Sequence, residues 1–344
     1  MKKRKIFILS MLVFSVLLTS FSFYFYQVFY GANILLEEED RLVTIQYEDN
    51  FDDIRNKFYD ARVINEIISF SFVSKVLGYQ ELVKPGVYLM KKGMSNIEAV
   101  RMLRAGNQKP VRITFNNVRL KNELAERITT NTGVDRDEFF SLLNNDIFLE
   151  EYGVNTDNVL TLFLPNTYEV YWTISAEELF DKMATEHERF WSEDRKAKAM
   201  ALGLSPIEVS ILASIVQAES VKTDESPIIA GLYLNRLNRN IALQADPTLV
   251  YALGDFSIQR VLNEHKKVQS PYNTYMNRGL PPGPINLPTI TSVNAVLNFE
   301  EHSYIYMCAK EDFSGYHSFA KTLVEHNRNA ARFQKALNER KIFR

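Results

Sequence analysis

The chain opens with the basic group Lys2-Lys3-Arg4-Lys5, followed by an uncharged stretch from Ile6 to Asn33 whose apolar part runs from Ile6 to Tyr30. That exceeds the ~20 residues a membrane helix needs, and no small-residue cleavage motif precedes Glu37, so it reads as a retained transmembrane anchor. The basic cluster should stay in the cytoplasm, which puts everything after the anchor on the far side. Tyr24, Tyr26 and Tyr30 fit an interfacial belt at its outer end. Glu37-Glu38-Glu39-Asp40 then reads as a solvated linker that lifts the first domain off the membrane surface.

Beyond it, Leu42-Val43-Thr44-Ile45-Gln46-Tyr47 alternates like a strand, and Phe51, Ile54 and Phe58 mark a helix face. Lys84-Pro85-Gly86-Val87-Tyr88-Leu89 predicts a turn and strand before a helix from Asn96 to Ala105, which stops at Gly106. Val111-Arg112-Ile113-Thr114-Phe115, then Leu120, Leu124 and Ile128, repeat the strand-then-helix pattern. From about Asp135 to Ala201 the pattern is mostly helical, interrupted by a turn and strand across Phe163 to Tyr171. These elements predict an α+β protein divided at 1–33 (basic tip and anchor), 34–41 (linker), 42–107 (a small α+β module), 108–201 (a connecting region) and 202–344 (a mixed α/β domain).

The last region holds the most informative residue. After the helix-initiating pair Ser205-Pro206, an apolar stripe runs through Ile211, Leu212, Ile215 and Val216, and Glu219 lies on that same side. Burial and the negative end of the helix dipole would both raise the pKa of its carboxyl group, which suits a general acid. The competing reading is a helix end at which Glu219 turns into solvent. Three loop clusters follow: Leu243-Gln244-Ala245-Asp246-Pro247-Thr248, Ser270-Pro271-Tyr272-Asn273-Thr274-Tyr275, and Gly279-Leu280-Pro281-Pro282-Gly283-Pro284-Ile285. The first two offer polar side chains and the third fixes backbone shape. Asp246 either contacts a ligand or caps the helix beginning near Pro247.

Composition narrows the choices. At 344 residues with a formal net charge of −2, the chain has room for two or three domains and no global field for nucleic acid. Its five histidines are scattered without metal-ligand spacing, and neither a metal nor another cofactor is expected. The single cysteine, Cys308, cannot form an internal disulfide and reads as a buried, inert thiol in the apolar run from Tyr304 to Ala309. Trp172 and Trp191 read as core or interface residues in preference to sugar-stacking platforms.

At these motifs the chain resembles the YceG-like endolytic murein transglycosylases, the MltG family. The resemblance is carried by Ala213-Ser214-Ile215-Val216 with Glu219, Asn235-Arg236-Leu237, the three loop clusters, His317-Ser318-Phe319 and Glu325-His326-Asn327. The anchor and the 42–107 module, which looks like that family's LysM-like domain, extend it over almost the whole chain. Departures are Leu160-Thr161 before Pro165-Asn166-Thr167-Tyr168, Gln217-Ala218 beside the glutamate, and Asn286-Leu287-Pro288 after Ile285. They put fine substrate preference in doubt and leave the acid in place.

The resemblance implies cleavage of the β-1,4 bond between N-acetylmuramic acid and N-acetylglucosamine in nascent peptidoglycan, outside the cytoplasmic membrane, leaving 1,6-anhydro ends. Glu219 would act as acid and base. Gln244, Asp246, Thr248, Tyr272, Asn273 and Thr274 would contact substrate, while His317, His326 and Asn327 would take supporting roles. Partners implied are glycan strands, the membrane and peptidoglycan synthases. Two alternatives stay open: a hydrolase using Glu219 with Asp246, and a non-catalytic wall-binding scaffold.

Overall fold

A computed structural model of the protein describes residues 2–36, 40–258 and 260–340. The linker reading at Glu37, Glu38 and Glu39 lies outside the described residues. Helix α1 (Lys2–Tyr30) is long and apolar enough to cross a membrane. Its side chains are exposed through Gln27, after which Val28 and Phe29 turn into a protein core. Among the described residues, three two-stranded sheets accompany the helices, so the mixture of helix and strand is as the pattern predicts.

The chain divides into two compact units. The first comprises Met1–Arg112, Asn131–Val134 and Glu169–Ser175. Here β1 (Arg41–Ile45) is followed by α2 (Phe51–Asp60) and α3 (Ile67–Val76), and then β2 (Gly86–Met90) pairs antiparallel with β1 before α4 (Asn96–Ala105). Asn50 and Ser95 start α2 and α4 with reciprocal capping boxes, and Gly106 ends α4 in the left-handed conformation. Phe51, Ile54, Phe58, Phe70, Tyr88 and Leu103 fill the core. Val28, Phe29, Ile34 and Leu36 join them, so this unit takes in residues upstream of position 42. The cause is local pairing: Asn33 Nδ2 donates to Asn96 Oδ1 at 2.7 Å, and Asn33 Oδ1 accepts from the Glu66 amide at 2.7 Å. Trp172 is buried here against Tyr47.

The second unit comprises Ile113–Thr130, Asp135–Tyr168 and Ala176–Arg344. Strand β3 (Val111–Phe115) and, later, β4 (Asn166–Val170) form one sheet; between them come α5 (Lys121–Thr129), α6 (Arg136–Leu142) and α7 (Asp146–Glu150). Then follow α8 (Ala176–Phe190), α9 (Glu193–Ala201), α10 (Pro206–Glu219), α11 (Ser226–Asn238), α12 (Asp246–Leu253) and α13 (Ile290–Leu297). An antiparallel hairpin, β5 (Tyr306–Ala309) and β6 (His317–Ala320), leads to α14 (Leu323–Glu339).

Helices α10, α11 and α13 pack on one another around Leu212, Ile215, Ile229, Tyr233, Val293 and Val296. Trp191 is buried in this core. The sequence pattern suggests one apolar stripe on α10, but every residue from Val209 to Val216 is buried. Ser210 and Ser214 tolerate this because their hydroxyls donate back to the carbonyls of Pro206 and Ile211, at 3.0 and 2.7 Å. A helix buried on all sides holds its terminal residue in place, and that residue is Glu219.

Candidate active site

Helix α10 begins with a capping box between Ser205 and Glu208, with Pro206 in its first turn, and ends at Glu219. Its last turn is tied down by Gln217, whose Nε2 donates to Asn286 Oδ1 and the Leu287 carbonyl while its Oε1 accepts from the Thr289 amide and the Ser292 hydroxyl. A charged residue in place of this amide could not both donate and accept in that way. Ser214 accepts from the Ile285 amide at 3.1 Å, and the Ser214 carbonyl accepts from Asn286 Nδ2 at 2.8 Å. The two departures at Gln217 and Asn286-Leu287-Pro288 are thus joined to each other.

From α11, Tyr233 and Arg236 reach the same place because they are three residues apart on one helix face. The Tyr233 hydroxyl donates a short hydrogen bond to Glu219 Oε1. Arg236, only 6 % exposed, donates to the carbonyls of Ile305, Ala242 and Leu243 at 2.7–2.9 Å, and so ties the loop before α12 to the approach of β5. Burial pushes the Glu219 carboxyl up to about 7; Tyr233 pulls against that, the charge of Asp246 adds to it, and Arg236 opposes it. Glu219 is thus a partly buried carboxyl at the end of α10 and does not turn freely into solvent.

Glu219 lies where two cavities meet. One, of about 440 Å³, is lined by Tyr233, Arg236, Gln244, Tyr275, Tyr306 and His326. The other, of about 860 Å³, is lined by Arg119, Tyr251, Phe256, Arg260, Asn286 and Phe333. Glu219, Asp246, Ala309 and His317 line both. Each cavity has the size of a small-molecule site, and a carboxyl group at their junction can act on a bond whose two sides occupy them.

The other expected site residues divide into two groups. Gln244 and Asp246 do face the cleft. Gln244 adopts a left-handed backbone with φ of 52°, and Asp246 Oδ1 accepts from the Tyr275 hydroxyl at 2.5 Å. Asp246 is the first residue of α12 and provides no cap; Ala245 holds the cap position without a side-chain bond. Thr248, Asn273 and Thr274, by contrast, are buried at 0–1 % exposure and do not line either cavity. The Thr248 and Thr274 hydroxyls bond each other at 2.8 Å, Thr274 Oγ1 accepts from the Ala245 amide, and Asn273 Nδ2 donates to the Lys266 and Val268 carbonyls. They hold the shape of the loop that presents Gln244 and Asp246. Tyr272 packs beneath Tyr251, with ring centroids 4.7 Å apart.

The third loop cluster is divided: Gly279, Leu280, Pro281 and Pro282 line a separate cavity without Glu219, whereas Ile285 at its end lines the larger cavity. Gly283 is required by close approach, since a Cβ there would meet the Asp157 carbonyl at 1.9 Å.

His317 enters the cleft on β6. Buried Glu225 accepts from its Nδ1 at 2.8 Å and from its backbone amide at 2.7 Å. His326 lines the smaller cavity and stacks on Tyr306, whereas Asn327 is exposed on α14. Cys308 is half-buried on the cavity wall, and burial pushes its thiol up. Tyr233 and Glu225 were not singled out by sequence reasoning. Tyr233 lies in an apolar helix run, and only its spacing to Arg236 could have marked it.

The sequence pattern of the YceG-like family matches residues 43–332. The endolytic murein transglycosylase of Streptococcus pneumoniae serotype 2 (strain D39 / NCTC 7466) is 25% identical over 360 aligned positions, covering 95% of this chain; the chain spans 65% of that protein's length. The endolytic murein transglycosylase of Bacillus subtilis (strain 168) is 27% identical over 293 positions, covering 81% of this chain and 80% of that protein. Among solved structures, a protein from Listeria monocytogenes described as yceG-like matches with a TM-score of 0.56 at 27% identity, over 84% of this chain and 98% of that one.

Proposed function

The chain belongs to the YceG-like family, and on that premise we propose that it is an endolytic peptidoglycan transglycosylase, anchored by α1 in the cytoplasmic membrane with the chain after α1 outside it. The observation that carries this is the Glu219 carboxyl, pushed up to about 7 at the junction of two cavities, with one oxygen that accepts no hydrogen bond from the described residues. In a glycan strand, the N-acetylmuramic acid and N-acetylglucosamine residues on either side of a β-1,4 bond would occupy the two cavities. Protonated Glu219 donates to the departing glycosidic oxygen. The resulting carboxylate takes the proton of the muramic C6 hydroxyl as that oxygen closes on its own anomeric carbon, leaving a 1,6-anhydro end. Proximity of the internal hydroxyl replaces the second carboxylate that a glycosidase needs. Gln244 and Asp246 supply polar contacts, and His317 is held toward the same junction by Glu225.

The 42–107 segment is read as LysM-like, supported by the pairing of β1 with β2 around α2 and α3. It would sit between membrane and wall, and synthases of the same strands are the natural partners.

A second reading is favoured by one observation: Asp246 lines both cavities, and its charge raises the Glu219 acid. A hydrolase would use that carboxylate to activate water or the anomeric carbon. Mass analysis of glycans released by the full chain decides between the two, because anhydro products lack one water. Glu219→Gln should abolish release while sacculus binding persists; a variant that digests glycan as fast as its parent would remove both readings.

A further inference from the structure

The continuity of α1 with the first unit bears on where that unit stands. Val28 and Phe29, in the last turn of α1, belong to the unit's core, and Asn96 Nδ2 donates to the Val28 carbonyl at 2.9 Å. The unit therefore begins inside the helix and not after a free tether. About 20 residues span the hydrocarbon layer, and counted from Ile6 they end at Phe25. Phe29 is one turn farther, roughly 6 Å along the axis, which is the depth of the lipid headgroups.

Helix α3 meets α1 at that depth. The Phe72 ring stands edge-on to Phe29, with centroids 6.1 Å apart. Ile68 and Val76 are four residues to either side of Phe72 and so share its face. All three are exposed, at 72, 49 and 55 %. The opposite face, with Phe70 and Val73, is in the core. Helix α3 is thus apolar on both sides, and Lys75, with a stem long enough to snorkel, is its one charged residue.

We propose that α3 lies in the outer headgroup layer of the bilayer that holds α1, with Ile68, Phe72 and Val76 directed at the acyl chains. The occupant of this face is phospholipid, because the face continues the lipid-covered surface of α1, and its apolar character requires no particular headgroup. The first unit then rests on the membrane. This rests on the reading of α1 as a membrane anchor.

The test uses the full chain reconstituted in phosphatidylcholine vesicles with brominated acyl chains. Trp fluorescence of Phe72→Trp is read against the parent background of Trp172 and Trp191, with Tyr24→Trp as a probe of α1 itself. The expected result is blue-shifted emission from both added indoles and quenching of each by at least twofold. Adding Ile68→Ser and Val76→Ser, both at exposed positions, should reduce quenching at position 72 severalfold and leave that at position 24 unchanged. Quenching at position 24 with water-like emission at 72 overturns the proposal while keeping the anchor. Blue-shifted but unquenched emission at 72 overturns it in favour of a protein occupant, such as a second copy. Absence of quenching at both positions overturns the anchor and the proposal together.

Discussion

Glu219 and Glu225 stand a few residues apart, one ending α10 and the other just before α11, and they receive opposite treatment. Glu225 is 4 % exposed, and both its oxygens are engaged: one by the His317 amide, the other by the His317 ring and the Ser220 hydroxyl. Glu219 has one hydroxyl, that of Tyr233, on one oxygen, and no partner among the described residues on the other, which is open to the cleft. Neither lies free in solvent: Glu225 is buried and Glu219 is partly buried. What separates the two is how many donors reach each carboxylate and whether an oxygen is left open to the cleft.

The largest effect that tests this contrast is on activity. Glu219→Gln should lower the rate of glycan cleavage by 10²–10⁴-fold, the usual contribution of a general acid, with circular dichroism unchanged. Glu225→Ala should act on the fold instead. Removing the three hydrogen bonds to a buried carboxylate and leaving His317 unsupported should cost about 3 kcal/mol in denaturant unfolding. If Glu225→Ala were as stable as the parent and only inactive, the division of roles would be wrong.

A third effect has the reverse sign. The Glu219 carboxyl, at about 7, is raised above the ordinary 4.5. The stability linked to a raised acid is complete below pH ~4.5 and is lost as pH rises through about 7. Glu219→Gln should remove that loss, leaving the variant more stable than the parent at pH 8 by up to about 3 kcal/mol and no more stable at pH 4. Unfolding curves at the two pH values measure it.

The smallest effects are shifts of the pH profile. The proposed mechanism needs Glu219 protonated, so kcat/KM should fall as pH rises through about 7. Asp246→Asn removes a charge that raises the acid and should move this limb down, whereas Tyr233→Phe removes a bond that lowers it and should move the limb up. Each shift should be about half to one pH unit. Loss of all activity in Asp246→Asn, at every pH, would favour the hydrolase.

Much of the fold was legible because periodicity is local. The long apolar helix α1, the strands at 41–45 and 86–90, and the helix ending at Glu219 follow from runs of apolar residues and the caps that stop them. The site was legible in part. Asp246 and Gln244 line the cleft, but Thr248 and Thr274 bond each other and do not line it. A small hydroxyl residue in a loop looks the same in sequence whether it meets a ligand or a neighbour, and only the direction of the side chain separates the two. Tyr233 was hidden for the converse reason, since an aromatic residue in a greasy helix reads as core until a carboxylate is found at its hydroxyl.

The sequence by itself determined that a carboxyl group would end an apolar helix, because burial and helix termination are written in consecutive residues. Tertiary structure alone decided what that carboxyl would be. Tyr233, Arg236 and Asp246 come from other elements, and the acidity of Glu219 depends on their distances and on the water their packing excludes.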